Sequence, residues 1–381
     1  MEPLVEVIDV EQENRYSRLL QAGWNLTTLQ SARVLVAGAG ALGNEVIKNL
    51  ALIGVKAIYI VDFDRIEETN LSRSVLFRAG DVGKPKAQMA AERAHPINPD
   101  VELSWLHGDL TWQIGVGVFR RMNAVIGCLD NRAARLWINR YCWRVGIPWF
   151  EGALDGLNGH VHLFGAAQAP CYECILTEQD RALLWDRVSC TGVARSGVFE
   201  GTIPTTPTGA SLIAALQVQE VIRWLHGMPV EFGTGIVYTS TPPNLQRFKL
   251  PERADCISHE KADPLIELPE AAAAAFTLRD LLHTAQRHFD DERAALRFDN
   301  NEVVSGLLCS ECGNFERWFG SILQVSEALI TCPHCHSSRR PLSEGHIGKD
   351  YPYLELKLSE VGIPPGHIIH ARCGNRDAYF N

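Results

Sequence analysis

The chain reads as an α/β protein, with a Rossmann-like, mostly parallel sheet followed by a small α+β C-terminal domain that carries a zinc ribbon. Three observations predict this. An apolar run, Val34-Leu35-Val36-Ala37, enters Gly38-x-Gly40-x-x-Gly43 and then a helical stretch, the arrangement that brings backbone N–H groups and a helix start up to phosphate oxygens. Apolar strand segments at 33–36, 57–61 and 124–128 alternate with helix-like stretches at 44–53 and 84–94, and such alternation builds parallel sheets. Near the end, Cys309-x-x-Cys312 and Cys332-x-x-Cys335 stand 19 residues apart, which is zinc-ribbon spacing.

Each element then has its own reason. The glycine loop announces a nucleotide without saying which. Asp62, 19 residues beyond Gly43, follows the second strand and suits a ribose, as a dinucleotide enzyme would require. Adenylation of a carboxylate asks for more, because charge builds on the α-phosphate as pyrophosphate leaves. It needs cations aimed at the phosphates and a carboxylate for Mg²⁺. Arg73 and Lys86 can supply the cations. Asp130 follows the strand 124–128, which places it at the carboxyl edge of a parallel sheet, and it is the expected Mg²⁺ ligand. Further on, Pro204-Thr-Thr-Pro-Thr-Gly209 leads into a helix at 210–226, whose Leu212, Ile213, Leu216 and Leu225 predict packing on the sheet. Antiparallel strands around 235–238 and 247–250 are expected to complete the domain.

Taken in order, Gly38–Gly43, Val61-Asp62-Phe63-Asp64, Asn70-Leu71-Ser72-Arg73, Gly83-Lys84-Pro85-Lys86-Ala87 and Cys128-Leu129-Asp130-Asn131 resemble the ubiquitin-activating enzyme superfamily, with its ThiF- and MoeB-like members. The resemblance covers roughly residues 10–260. It implies ATP-dependent adenylation of the C-terminal glycine of a ubiquitin-like protein. Within it, Gly38, Gly40, Gly43, Asp62, Asp64, Asn70, Arg73, Lys86, Asp130 and Asn131 would form the nucleotide site: Asp62 on the ribose, Asn70 and Arg73 on phosphates, Lys86 on the leaving pyrophosphate and Asp130 on Mg²⁺. Arg15-Tyr16-Ser17-Arg18 resembles the family's N-terminal segment, so Arg18 would reach the ATP of a second copy and the protein would be a homodimer. Ser74 departs from the family's glutamine at that position, which places one adenylate contact in question.

The eleven cysteines suggest metal or catalysis before disulfides. Cys171-x-x-Cys174 and Cys256-x-x-His259 form two chelating hooks and predict a structural Cys₃His zinc site. Cys309, Cys312, Cys332 and Cys335 predict a second. Cys128 and Cys142 lie in apolar surroundings and are expected to be buried and inert. Cys190 lies in the polar stretch Arg187-Val-Ser-Cys-Thr-Gly-Val-Ala-Arg195, where small residues and arginines favour an exposed thiolate. The resemblance places the thioester-forming cysteine in this same region.

Residues 1–260 are therefore expected to form the adenylation domain and residues 276–381 a β-grasp-like domain with the ribbon inserted. By the same resemblance the second domain would dock a conjugating enzyme. Bacterial conjugation systems tied to antiviral defence use activating enzymes of about this size, so that pathway is an expectation of the resemblance. A sulfur-carrier activator for thiamine or molybdopterin synthesis, which stops short of conjugation, is the alternative. The net charge of −9 argues against a broad nucleic-acid surface. No apolar run reaches the roughly 18 residues of a membrane span, and the acidic start is unlike a signal peptide, so the expected compartment is the cytoplasm. A nicotinamide oxidoreductase would leave Arg73, Lys86 and Asp130 without a task. A non-catalytic scaffold would leave the whole phosphate-reading set without one.

Overall fold

The computed structural model describes residues 14–181, 204–268, 276–298 and 301–381. The chain divides into two compact units: Phe119–Ile175 and the chain up to Leu110 and from Glu200 to His259 form the first, and Glu260–Asn381 forms most of the second.

In the first unit, eight strands make one sheet: β1 (Arg33–Ala37), β2 (Ala57–Asp62), β3 (Glu102–His107), β4 (Ala124–Gly127), β5 (Trp149–Asp155), β6 (Asn158–Phe164), β7 (Thr234–Ser240) and β8 (Pro243–Lys249). Their order is β3-β2-β1-β4-β5-β6-β7-β8. The first five run parallel and the last three antiparallel. β4 is buried throughout and β1 from Val34 onward, which is why they read as unbroken apolar runs rather than alternating ones. The strand order reverses direction between β1 and β4. Crevices at such a reversal, outside the carboxyl ends of the strands, hold ligands in open α/β sheets.

Helix Ala41–Ile53 covers the sheet with its Val46, Ile47 and Leu50 face and stops at Gly54, whose φ of +82° only glycine adopts readily. Helix Lys86–Ala94 begins after Pro85, two residues later than the sequence pattern suggests, because Pro85 occupies the N-cap in extended conformation. Helix Pro207–Leu225 starts with the Thr206 hydroxyl accepting from the Gly209 N–H (3.2 Å). Its inward face is Ala210, Ile213, Ala214, Gln217, Val218 and Val221, whereas Leu212 is exposed. The buried residues recur at i, i+3, i+4, i+7 from Ala210, and Leu212 falls off that stripe. A Cβ at Gly152 would sit 2.4 Å from the Gln217 side chain, and the buried Gln217 amide donates to the carbonyls of Gly127 (2.9 Å) and Phe150 (3.0 Å).

The second unit has two sheets. Helix Leu278–Phe289, N-capped by a reciprocal Thr277–Asp280 box, lays Leu278, Leu281, Leu282, Ala285 and Phe289 into a core with Leu296, Ile369 and Phe380. The sheet of that core runs in the order β15 (His346–Ile347), β10 (Ala295–Arg297), β16 (Ile369–Cys373), β17 (Arg376–Phe380) and β9 (Leu265–Ile266). Gly374, at φ +61°, turns β16 back into β17. β11 (Val303–Cys309) pairs with β12 (Phe315–Glu316), β13 (Gly320–Ser321) and β14 (Arg339–Glu344), forming the ribbon. Among the described residues no helix is long and apolar enough to cross a membrane.

Candidate functional site

The glycine loop turns on close contact. Gly38 has φ +97°, and a Cβ there would lie 2.4 Å from the Cys128 carbonyl oxygen; one on Gly43 would lie 2.0 Å from the Gly38 carbonyl oxygen. Gly40 differs, since a Cβ on it would meet nothing within 4 Å. Gly40 is also the N-cap of helix Ala41–Ile53, and no side chain caps that helix start. Open space thus lies beside the start of this helix, where the first turn has no side-chain cap, as an anion site requires.

Carboxylates and one lysine frame this loop. Asp62, at the end of β2, accepts from the Ala39 N–H through one oxygen and from the Asp64 N–H through the other, both at 2.7 Å. Burial raises its pKa, against the pull of these donors and of Lys86. Lys86 Nζ lies 2.7 Å from Asp64 Oδ2 and is largely buried, and the Lys86 N–H donates to the Asp64 carbonyl (2.9 Å). Asn70 is buried, its Oδ1 accepting from the Glu67 N–H (3.0 Å). Arg73 donates to the Thr69 carbonyl (2.7 Å). Ser74 is buried, and its hydroxyl has no hydrogen-bond partner among the described residues.

Sequence reasoning missed Asn44. Fully buried in the first helical turns, it donates to the carbonyls of Ala39 (2.7 Å) and Gly40 (2.9 Å) and accepts from the Leu76 N–H (3.0 Å). It therefore sews the Asn70–Leu76 segment to the glycine loop. The available signal was a polar residue on the inward face of an amphipathic helix.

Asp130 follows β4 and is exposed at the carboxyl edge. Asn131 has a local task, accepting from the Ala134 N–H (2.7 Å) as N-cap of helix Arg132–Val145. Cys142 is buried as expected, whereas Cys128 is half-buried; desolvation pushes both thiols up. Tyr16 is buried against Gly54, and its hydroxyl accepts from the Asn98 amide (2.8 Å); Arg18, two residues on, is exposed and donates to Gln21 (3.1 Å). Cys190 lies outside the described residues.

Both predicted hook pairs converge, and in each the four ligand atoms lie within 4.8 Å of one another. Sulfur pairs stand at 3.7 Å (Cys171–Cys174), 3.6 Å (Cys171–Cys256), 3.5 Å (Cys309–Cys335) and 3.6 Å (Cys312–Cys332). Tetrahedral zinc at about 2.3 Å from each thiolate would space them about 3.8 Å apart. Cys174 Sγ lies 3.3 Å from His259 Nε2, and the His259 ring stacks on Trp143 with centroids 3.9 Å apart, which fixes the imidazole's orientation. In the ribbon, the Ser337 N–H, its hydroxyl and Cys309 pull the Cys335 thiol down to about 6. The two knuckles close through Gly313 (φ +70°) and His336 (φ +59°).

The family model described as ThiF matches residues 16–258. The SAMP-activating enzyme E1 of Haloferax volcanii is 34% identical over 200 residues, 51% of this chain and 73% of that one. SUMO-activating enzyme subunit 2 of Dictyostelium discoideum is 37% identical over 163 residues, 42% of this chain but 25% of the relative. The yeast NEDD8-activating enzyme E1 catalytic subunit is 37% identical over 151 residues, 37% of this chain and 50% of the relative. The chain thus spans a quarter to a half of these last two relatives. A crystal structure of E. coli MccB with ATP shares the fold, with a TM-score of 0.55 and 23% identity over 66% of this chain and 75% of that one.

Proposed function

The chain belongs to the ThiF family, and from that premise we propose that it uses ATP to adenylate the C-terminal glycine carboxylate of a ubiquitin-like protein. It then holds that protein as a thioester on Cys190 for transfer to a conjugating enzyme. The observation that carries the first step is the uncapped helix start at Gly40, framed by Asp62, Asp64 and a partly buried Lys86. A lysine held in this way can stabilise charge on departing pyrophosphate without reorganising.

In this reading Asp62 positions the ribose, Asn70 and Arg73 hold phosphates, and the exposed Asp130 fits a magnesium ion at the strand edge. Magnesium, when bound, neutralises phosphate charge. The carboxylate of the partner forms a bond to the α-phosphorus as the bond to pyrophosphate breaks. No general base is needed, because the nucleophile is already ionised. The Cys190 thiolate then attacks the acyl carbon, and AMP leaves. Arg18 stands on a segment anchored by Tyr16 and would serve the ATP of a second copy in a homodimer. The cysteine clusters would hold structural zinc, and residues 276–381 would dock the conjugating enzyme, within a bacterial antiviral conjugation pathway.

The test mixes protein, ATP, Mg²⁺ and a candidate ubiquitin-like protein ending in glycine, and follows pyrophosphate exchange alongside a non-reducing gel. A thiol-labile adduct that disappears in Cys190→Ala is the expected result. Exchange without an adduct would replace this reading with sulfur-carrier activation, and tight NAD binding without exchange would sink both.

A further inference from the structure

We propose that Glu151, His160 and His162 form a further metal site, of the open two-histidine, one-carboxylate type, which takes a divalent transition-metal ion. The antiparallel register sets Glu151 of β5 directly opposite His162 of β6. His160 is two residues from His162 and so faces the same side of the sheet. His162 Nδ1 lies 3.0 Å, and His160 Nε2 3.3 Å, from the same oxygen, Glu151 Oε2. The two imidazoles stack with centroids 4.2 Å apart and a 27° interplanar angle, which keeps both on that oxygen's side.

These distances have two readings, an ion-pair network or ligands around a common point. Among the described residues, neither Glu151 oxygen nor His162 Nδ1 has a partner with hydrogen-bond geometry. The atoms are in close contact yet off the line of a well-formed hydrogen bond, an arrangement that a shared ion accommodates. An ion held at about 2.0–2.2 Å by nitrogen and oxygen would space its ligand atoms about 2.8–3.1 Å apart at octahedral angles and about 3.3–3.6 Å apart at tetrahedral ones, so the 3.0 Å contact fits the first and the 3.3 Å contact the second. All three ligand atoms lie within 4.8 Å of one another, as in the two cysteine clusters.

The surroundings fit an outer shell. Arg135 Nε stands 3.3 Å from the other carboxylate oxygen, Oε1, an ion pair that offsets part of the carboxylate charge and leaves Oε2 to the ion. Glu151 is 1% exposed, while the His160 side chain is 32% exposed, so the site opens to solvent past His160. Two imidazoles and a carboxylate select a transition metal over Mg²⁺ or Ca²⁺. Three protein ligands leave at least one position for water or an anion, whereas each cysteine cluster is closed by four.

The experiment titrates Co²⁺ into the full-length protein and follows visible absorbance. Cobalt on this site shows d–d bands without the near-ultraviolet thiolate charge transfer that cobalt on the cysteine clusters produces, so the readout is independent of their occupancy. About one such equivalent per chain is expected in the wild type, with affinity falling at least about tenfold in His160→Gln and Glu151→Gln. Should Glu151→Gln fail to fold, the partly exposed His160→Gln carries the test alone. Cobalt that binds only with thiolate charge transfer, or a nitrogen- and oxygen-ligated equivalent undiminished in a His160→Gln, His162→Gln double variant, would overturn the proposal.

Discussion

Replacing Asn44 with alanine tests whether one buried amide holds the glycine loop and the Asn70–Leu76 segment together. The side chain makes three hydrogen bonds. On its loss the Gly40 carbonyl keeps the Asn44 backbone N–H as a donor (2.9 Å), but the Leu76 N–H and the Ala39 carbonyl lose this partner. Leaving a buried donor or acceptor unsatisfied costs about 1–3 kcal/mol, so the two together should destabilise the loop by about 2–6 kcal/mol. The assay is hydrogen exchange at the Leu76 amide, which reads local opening rather than the unfolding of either unit. A change of that size accelerates exchange by a factor of roughly 30 or more, since about 1.4 kcal/mol corresponds to tenfold. Pyrophosphate exchange should weaken in parallel through a raised KM for ATP. Asn44→Asp keeps the acceptor for Leu76 while losing both donors, and should fall between wild type and alanine in Leu76 protection. If Leu76 protection in Asn44→Ala stays within about threefold of wild type, Asn44 is not the tie described here.

Other expectations follow from the same geometry. Gly40→Ala should fold with a Tm within a few degrees of wild type and yet raise the KM for ATP at least about tenfold, because its methyl enters only the open space before the helix; Gly38→Ala should instead fail in thermal denaturation. Lys86→Ala should lower kcat for pyrophosphate exchange by about 10²–10³, the scale of removing one group that stabilises transition-state charge, and a rate within a factor of three of wild type would remove Lys86 from the mechanism. Asp81 is held down to about 2, first by Arg93 and then by Lys84 and the Arg78 N–H. Its carboxylate therefore adds stability that is complete above about pH 4 and lost as pH falls towards 2. Discounted for the exposure of Arg93 and Lys84, this is about 1 kcal/mol, and acid titration of Asp81→Asn should lack it. Cys312→Ser should release about one zinc equivalent and deprotect β11 and β14 in hydrogen exchange, while the sheet containing β10 and β16 stays protected.

What could be read from the chain depended on how local the cause was. β1, β2 and β4 were legible because buried parallel strands are apolar throughout. β3 was not, since this edge strand leaves Glu102, Ser104 and Trp105 exposed and shows no apolar run. The hooks of both cysteine clusters were legible because a knuckle is a short turn, and the long-range pairing followed from ligand number. Leu212 misled because the buried stripe runs through Ala210, Ile213, Ala214, Gln217, Val218 and Val221, and its alanines and glutamine carry less apolar signal than the exposed leucine beside them. β17 opens with Arg376 and Asp377, which conceal its apolar end. His160 and His162 stood in plain alternation, but their meeting with Glu151 depends on a strand register that no single segment encodes. Asn44 was hidden for the same reason, as its acceptor and donors come from different stretches of chain.

With an ion bound, the Cys₃His cluster would also act as a clasp. Cys171 and Cys256 are 85 residues apart in sequence, so an ion held there closes a large ring of chain that includes helix Pro207–Leu225. Closing a loop of that length removes about 4–5 kcal/mol of chain entropy from the unfolded state, and cost grows only with the logarithm of length. The ring could therefore tolerate insertions between its hooks at little thermodynamic expense. A backbone cut anywhere between Cys174 and Cys256 would leave both fragments fastened at the same ion. For a cut before β7 the β6–β7 pairing also holds the fragments, so the nicked protein should travel as one body and lose stability, rather than separate, when a chelator opens the clasp.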